Sequence, residues 1–258
     1  MLSDERQIQI AQIVEDKGSV TVNELMKIFQ VSESTIRRDL TVLDKYRKLV
    51  KVHGGAIAIN SAYYTRDDDF VKRKNLNRGE KVSIARYAAS LIRPYDFVFI
   101  DAGSSTELMI DFIMEKNVIF VTNAVSHARK LTKKGFKTYV LGGEFKEVTE
   151  AIVGEETVLS LSKYNFTKGF LGTNGISRKN GFTTPDLKEA QVKQEVMKRC
   201  KDRYILADSS KFNKISSITS CFTCAITFLP FSNATIITTA VNDKEFLYCE
   251  NILEVNRL

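Results

Sequence analysis

The sequence predicts an α/β chain in two parts, a small N-terminal winged helix-turn-helix followed by a larger open α/β domain. Three observations predict it. Residues 3–45 hold three short amphipathic helix patterns, each opened by a capping residue, and alternating apolar runs then flank the pair Gly54-Gly55. From Glu80 onward, strand-like and helix-like segments alternate, the pattern of a mostly parallel sheet covered by helices. Several of the strand-like segments end in loops rich in Gly, Ser, Thr, Asn and Asp. The expected boundaries are 1–59 for the head, 60–78 for a linker and 79–258 for the larger domain.

A chain of 258 residues has room for one medium domain and a small one. With 43% apolar and 27% charged residues and 3 prolines, it reads as an ordinary globular protein with a sizeable core. No run of about 18 apolar residues appears, and the opening M-L-S-D-E-R-Q lacks the apolar centre of a secretory signal. The expectation is a cytoplasmic protein without a membrane partner. The net charge of +7 suits an anionic partner without choosing one. Residues 36–53 are more informative, because Arg37, Arg38, Lys45, Arg47, Lys48 and Lys51 face only Asp39 and Asp44. That local excess suits a surface that docks on phosphates.

In the head, Ser3 is the expected cap of a first helix that places Ile10, Ile13 and Val14 on one face and ends at Lys17-Gly18. Thr21-Val22-Asn23-Glu24 reads as a capping box opening a second helix through Leu25, Ile28 and Phe29. After the tight link Gln30-Val31, Ser32 caps a third helix with Ile36, Leu40 and Leu43 inward. Two short helices so joined make a helix-turn-helix. The second enters the major groove by its N-terminal end, so Ser32, Glu33, Ser34, Thr35, Arg37 and Arg38 are the candidate DNA-binding residues. Arginine suits guanine edges or phosphates, and the hydroxyls suit backbone oxygens. The stretch L-V-K-V-H-G-G-A-I-A-I predicts a hairpin wing, adding Lys51, His53 and Gly54. V-S-E-S-T-I-R-R-D-L followed by V-H-G-G-A resembles the N-terminal signature of the DeoR family of bacterial transcriptional regulators. K-Y-R-K-L departs from it where the family commonly has a glycine before the leucine.

The polar runs T-R-D-D-D and R-K-N-L-N-R between 60 and 78 read as the linker. Beyond it, the strand D-F-V-F-I runs into Asp101-Ala102-Gly103-Ser104-Ser105-Thr106 and then a helical pattern. Such a turn offers N–H groups and hydroxyls to an anion at a helix start. Other strand ends bring Asn123, Gly142-Gly143, Thr173-Asn174, and Asp208 with Lys211. Ligands of open α/β sheets bind outside the carboxyl ends of the strands, so these residues together suit a small hydroxylated anion.

D-A-G-S-S-T, V-T-N, L-G-G, L-G-T-N-G-I-S, G-F-T-T-P-D-L-K-E-A and A-D-S-S-K-F resemble the sensor domain of the same family, which is similar in fold to ribose-5-phosphate isomerase. The pairing of F-L-G-T-N-G-I-S with G-F-T-T-P-D resembles particularly its fructose-operon repressors. The resemblance implies fructose 1-phosphate or a close ketohexose phosphate as effector. It makes Gly103, Ser104, Ser105 and Thr106 the phosphate cradle, with Lys211 as charge partner, and Asp101, Asn123, Asn174 and Asp208 the sugar contacts, joined by Glu189 and Lys193. Where the family shows an aspartate after the last apolar strand, this chain has Thr239.

Cys221 and Cys224 form a C-x-x-C without a second one; in an apolar strand-like run they read as buried reduced thiols rather than a metal site. No cofactor is expected. His127 reads as a surface or packing residue, and the run K-L-T-K-K-G at 130–135 as a helix C-terminus. Two function classes follow: a repressor of a sugar-utilisation operon, released from double-stranded operator DNA by a phosphorylated sugar, or a sugar-phosphate isomerase-like enzyme with a DNA-binding head. The intact recognition helix favours the non-enzymatic regulator. Symmetric operator reading implies a homo-oligomer, a dimer or a tetramer.

Overall fold

In a computed structural model the chain divides into two compact units, Met1–Tyr64 and Thr65–Leu258. The structure describes residues 3–17, 19–46, 48–52, 54–58, 70–178, 180–221, 234–241, 246 and 249–257. His53, Arg47, Cys224, Ile59 and residues 60–69 of the expected linker lie outside them.

The first unit contains α1 (Ser3–Lys17), β1 (Ser19–Thr21), α2 (Val22–Phe29), α3 (Glu33–Lys45), β2 (Val50–Val52) and β3 (Gly55–Ile57). Ser3 lies inside α1 instead of capping it, and its Oγ accepts from Gln7 Nε2. The capping box of α2 forms fully, with Thr21 Oγ1 accepting from Glu24 N and Glu24 Oε2 accepting from Thr21 N. Gln30 then turns the chain in the left-handed region at φ 51°, and Ser32 caps α3. Ile10, Val14, Leu25, Ile36, Leu40 and Leu43 form the core. Of the apolar residues of α2, Val22 and Leu25 are buried and Ile28 is exposed.

The wing is antiparallel, with Val50 opposite Ile57 and Val52 opposite Gly55. β1 adds a third strand that the sequence reading missed. Gly54 turns at φ +85°, while a Cβ on Gly55 would lie 2.2 Å from Val20 O. The paired glycines thus answer two demands, a left-handed turn and a close strand approach. Asp39 is only 2% exposed and binds Arg6 Nε at 2.7 Å and Gln7 Nε2 at 3.0 Å. Its place three residues after Ile36 turns it inward, so it ties α3 to α1 and leaves the outer face more basic.

In the second unit, residues 70–75 of the expected linker form α4 (Phe70–Asn75), and α5 (Arg78–Ser90) begins after Asn77 at φ 51°. Then come β4 (Phe97–Ile100), α6 (Ser104–Phe112), β5 (Ile119–Thr122), α7 (Val125–Lys133), β6 (Lys137–Val140), β7 (Glu144–Lys146), β8 (Ala151–Val153), α8 (Glu155–Leu161) and β9 (Phe166–Gly172). The rest is β10 (Gly175–Ser177), β11 (Gly181–Thr184), α9 (Leu187–Arg199), β12 (Cys200–Leu206), β13 (Ile218–Cys221), β14 (Ala234–Thr238) and β15 (Ile252–Glu254). A parallel sheet runs in the order β15-β14-β12-β9-β4-β5-β6.

Successive strand residues point to opposite faces. Val98 and Ile100 therefore pack with Ile84 of α5, Leu108 of α6 and Leu131 of α7. Phe99 and Leu171 pack on the other face with Leu161 of α8 and Val192 of α9. From β4 the chain walks outward to β5 and β6; from β9 it walks the other way to β12 and β14. The order therefore reverses between the neighbours β4 and β9, which opens a crevice at their C-terminal ends. Lys134 from the predicted helix end donates to the carbonyls of Ile110 and Asp111, both at 2.8 Å, and so caps α6. No helix among the described residues is long and apolar enough to cross a membrane.

Asp39→Ala leaves Arg6 half-sheltered without its carboxylate and should destabilise the first unit by about 3 kcal/mol. Thermal unfolding followed by circular dichroism checks this; a melting temperature equal to that of the native chain would mean that Asp39 does not hold α3 on α1.

Candidate functional site

On α3, the positions opposite Ile36, Leu40 and Leu43 carry Glu33, Ser34, Arg37 and Arg38, all exposed, with Thr35 half-buried. Ser32 Oγ lies 2.9 Å from both Ser34 Oγ and Thr35 Oγ1. Arg37 Nε donates to Glu33 Oε1 at 2.7 Å, an i,i+4 pair that holds the guanidinium along the helix. Lys51, expected near the wing tip, instead reaches back to α3: its Nζ donates to Thr41 Oγ1 at 2.7 Å and its backbone N–H to Asp44. Gly54 forms the wing turn.

In the second unit a cleft opens at the crevice between β4 and β9. It brings together Gly103, Ser104 and Ser105 at the start of α6, Gly172, Thr173 and Asn174 after β9, and Glu189 and Lys193 on α9. Lys211 follows β12 and also lines it. The structure adds Arg73 and Lys81, which sequence reading did not single out. Lys81 sits in the first turn of α5, one residue past Glu80, and is buried there.

Lys81 is 3% exposed, and its Nζ donates to Ser104 Oγ at 3.1 Å and to the carbonyl of Arg73. Burial pushes its ammonium down to about 8, although Asp208 pulls the other way. The first N–H groups of α6 have no acceptor within the helix. An anion at Ser104 and Ser105 would meet these groups, the helix dipole and Lys81 together. Asp208, Lys211 and Arg73 lie close enough to act on the Lys81 ammonium, Asp208 favouring its charge and the two cations opposing it. Burial raises the Asp208 carboxyl, but Lys211, Ser210, Asn77 and Lys81 outweigh it and hold the group below the usual range.

α9 closes the opposite side. Lys193 Nζ pairs with Asp101 Oδ2 and donates to Gly172 O at 3.1 Å. Glu189 accepts from Lys146 Nζ at 3.1 Å, Thr149 Oγ1 at 2.7 Å and Thr184 Oγ1 at 3.2 Å. Burial opposes its ionisation, yet Lys193, Lys146 and Thr149 outweigh it and lower its pKa.

Other predicted residues sit around the cleft rather than along it. Asn123 accepts from Ala102 N and donates to Ile152 O, fixing the loop from behind. Thr106 donates to the carbonyls of Asp101 and Gly103. Gly142 and Gly143 form the turn from β6 to β7, where Gly143 adopts φ +144° against Thr157. Asp208 accepts from Asn77 Nδ2 at 2.8 Å and caps the turn that carries Lys211. Thr239 donates to Glu80 Oε2, which also accepts from Ser209 N, so it fastens the start of α5 to the end of β14.

His127 is fully buried beneath the anion loop, with Nε2 3.3 Å from Thr106 Oγ1. Burial pushes its pKa down to about 3, against a pull from the Gly103 carbonyl, so it packs there as a neutral ring. Cys200 is a buried free thiol pushed up to about 12 by burial, and Cys249 is free. The side chain of Cys221 and all of Cys224 lie outside the described residues. Among the described residues, no group of His, Cys, Asp and Glu is arranged to hold a metal.

Residues 6–62 match the family model of the DeoR-like helix-turn-helix domain, and residues 76–231 that of the DeoR C terminal sensor domain. The chain is 40% identical to the uncharacterized HTH-type transcriptional regulator FruR of Bacillus subtilis over 247 residues, 95% of this chain and 94% of that one. It is 33% identical to the lactose phosphotransferase system repressor of Staphylococcus aureus over 224 residues, 86% and 88% of the two chains. A ribose 5-phosphate isomerase from Methanocaldococcus jannaschii superposes at 14% identity with a TM-score of 0.39, covering 53% and 55%, a likeness too loose to carry an argument.

The buried neutral His127 makes the second unit acid-sensitive. Its folded pKa of about 3 lies below its ordinary 6.5, so the unfolded chain binds the extra proton and stability falls as pH drops from 6.5 toward 3. In His127→Gln the slope of unfolding free energy against pH over that window should be shallower than in the native chain, by denaturant titration; equal slopes would assign the sensitivity to other groups.

Proposed function

Because the chain belongs to the DeoR family of transcriptional regulators, we propose that it represses a sugar-utilisation operon and leaves its operator when a phosphorylated sugar occupies the cleft. Fructose 1-phosphate, or a close ketohexose phosphate, is the proposed effector. The family membership makes the protein a DNA-binding regulator and not an enzyme.

The observation that carries the effector class is the buried ammonium of Lys81 at the start of α6, where it donates to Ser104. A sugar phosphate carries close to two negative charges at neutral pH and would meet that ammonium and the helix N–H groups together. Gly103, Ser104, Ser105, Lys81 and Lys211 would hold the phosphate. Thr173, Asn174, Glu189 and the Lys193–Asp101 pair would face the hydroxyls, with Asn123, Thr106 and Asp208 shaping the loops behind them. The sugar system named for the Staphylococcus aureus repressor supports sugar control.

In the head, Arg37 and Arg38 would enter the major groove while Ser32, Ser34 and Thr35 meet phosphates. Glu33 orients Arg37, and Lys51, His53 and Gly54 supply the wing contacts. Two recognition helices are needed for a symmetric operator, so the working form is at least a dimer. The effector releases DNA only by binding the two states of the protein with different affinity.

Arg37→Ala and Arg38→Ala should each weaken operator binding by about 1–3 kcal/mol, and a base-reading arginine should also relax specificity at one position. Fluorescence anisotropy across a salt series checks this; unchanged affinity and salt slope in both variants would remove α3 from the interface.

For the cleft, a thermal-shift series with sugar phosphates should show selective stabilisation by fructose 1-phosphate, by about 2.7 kcal/mol at roughly a hundred times Kd. The bound dianion keeps Lys81 charged and raises its pKa in the complex, so affinity should fall as pH rises above about 8. Ser105→Ala should blunt the response and leave operator binding intact. A shift from no phosphorylated sugar would defeat the effector assignment.

A further inference from the structure

The buried ammonium of Lys81 serves two helices besides its own. It donates to Ser104 at the start of α6 and to the carbonyl of Arg73 in the last turn of α4. The last carbonyls of a helix lack intrahelical donors, and a lysine can supply one. Lys81 therefore caps α4 from within the anion site, and Arg73 and Leu76 beside that cap line the cleft. The first unit ends at Tyr64 and α4 begins at Phe70, so among the described residues α4 is the first element that the chain forms after leaving the head. A helix of six residues is marginal by itself and needs ties of this kind. Lys74, paired with Glu107 of α6 at 2.9 Å, supplies another.

We propose that Lys81 couples the cleft to the DNA-binding head: it caps α4 while no anion is bound and gives up that contact to an incoming phosphate, which loosens the helix leading back to the head. A phosphate dianion is a stronger acceptor for an ammonium than a neutral carbonyl is. Bound at Ser104 and Ser105, it lies on the Ser104 side of the ammonium and competes with the Arg73 carbonyl for its N–H groups. The corner between α4 and α5 has its own anchor, because Asn77, left-handed at φ 51°, donates to Asp208 Oδ1 at 2.8 Å. Loss of the cap thus loosens α4 and leaves α5 seated. Two heads on a symmetric operator must sit about one DNA turn apart or a multiple of it, and a looser connection lowers the effective concentration of the second head at its half-site. The phosphate binds better to the state with α4 released, which is the differential affinity that operator release requires.

The inference rests on the reading of the cleft as a sugar-phosphate site, and the test separates the two. Amide hydrogen exchange on the full chain, read by mass spectrometry, would compare the protein alone with the protein saturated by fructose 1-phosphate or fructose 6-phosphate. Exchange should slow in the peptide at the start of α6 and quicken in the peptide covering α4. Slower or unchanged exchange in α4 beside a slowed α6 would overturn this inference and leave the sugar-phosphate reading standing. No slowing at α6 with either compound would overturn that reading and this inference with it. Lys74→Met removes the other tie without touching Lys81 and should bind the same sugar phosphate roughly two- to fivefold tighter by titration calorimetry, because releasing α4 then costs less. Removal of a cation by itself would weaken the binding of an anion, and so would damage to the cleft. Unchanged or weaker binding would therefore count against the coupling, and the exchange measurement on the native chain decides the matter if the variant does not fold.

Discussion

The reversal of strand order between β4 and β9 is the constraint on which the second unit depends. Because the chain leaves these two neighbours in opposite directions, no connection covers their C-terminal ends, and helices from both faces converge there. α5 and α6 arrive from one side with an ammonium and free helix N–H groups, and α9 arrives from the other with a carboxylate and a lysine. Polar side chains that would be costly singly in a core are tolerated because each meets a partner. Lys81 meets Ser104, Lys193 meets Asp101, and Glu189 meets Lys146.

Much of this was readable in the residues. The capping box at Thr21, the cap at Ser32 and the glycine pair of the wing are local chemistry, and local chemistry survives in a one-dimensional string. Alternation of strands and helices was equally plain, and so was the loop before α6. Pairings distant in sequence were not. Asp39 looked like one more surface charge until the helix turned it toward Arg6, 33 positions earlier. Lys81 stands in a polar stretch that hides its burial, since nothing local says that Ser104 will lie beside it. Gly142 and Gly143 drew notice as a strand end, but β6 is the edge strand, well along the sheet from the reversal. The helix at 70–75 was missed because its polar composition matches a linker, and its packing comes from partners such as Glu107, which pairs with Lys74 at 2.9 Å.

The two units solve the problem of anion recognition differently. The head exposes its arginines on a short helix and keeps them ordered by a neighbouring glutamate, which suits a long polyanion met from solvent. The second unit buries an ammonium beside a helix start, which suits a small anion withdrawn from water. The first surface is therefore strongly salt-screened, whereas the second is shielded from salt by its own walls.

The contact between Thr239 and Glu80 couples the choice of residue at two distant positions. A threonine hydroxyl donates a hydrogen bond to a glutamate oxygen, as it does here. An aspartate in the same place would set two carboxylates against each other, and one would have to hold a proton or turn away. The choice of residue at 239 is therefore tied to the acid at 80: an acid at 239 would be tolerated at neutral pH only with a compensating change at 80, although the two stand 159 residues apart in the sequence.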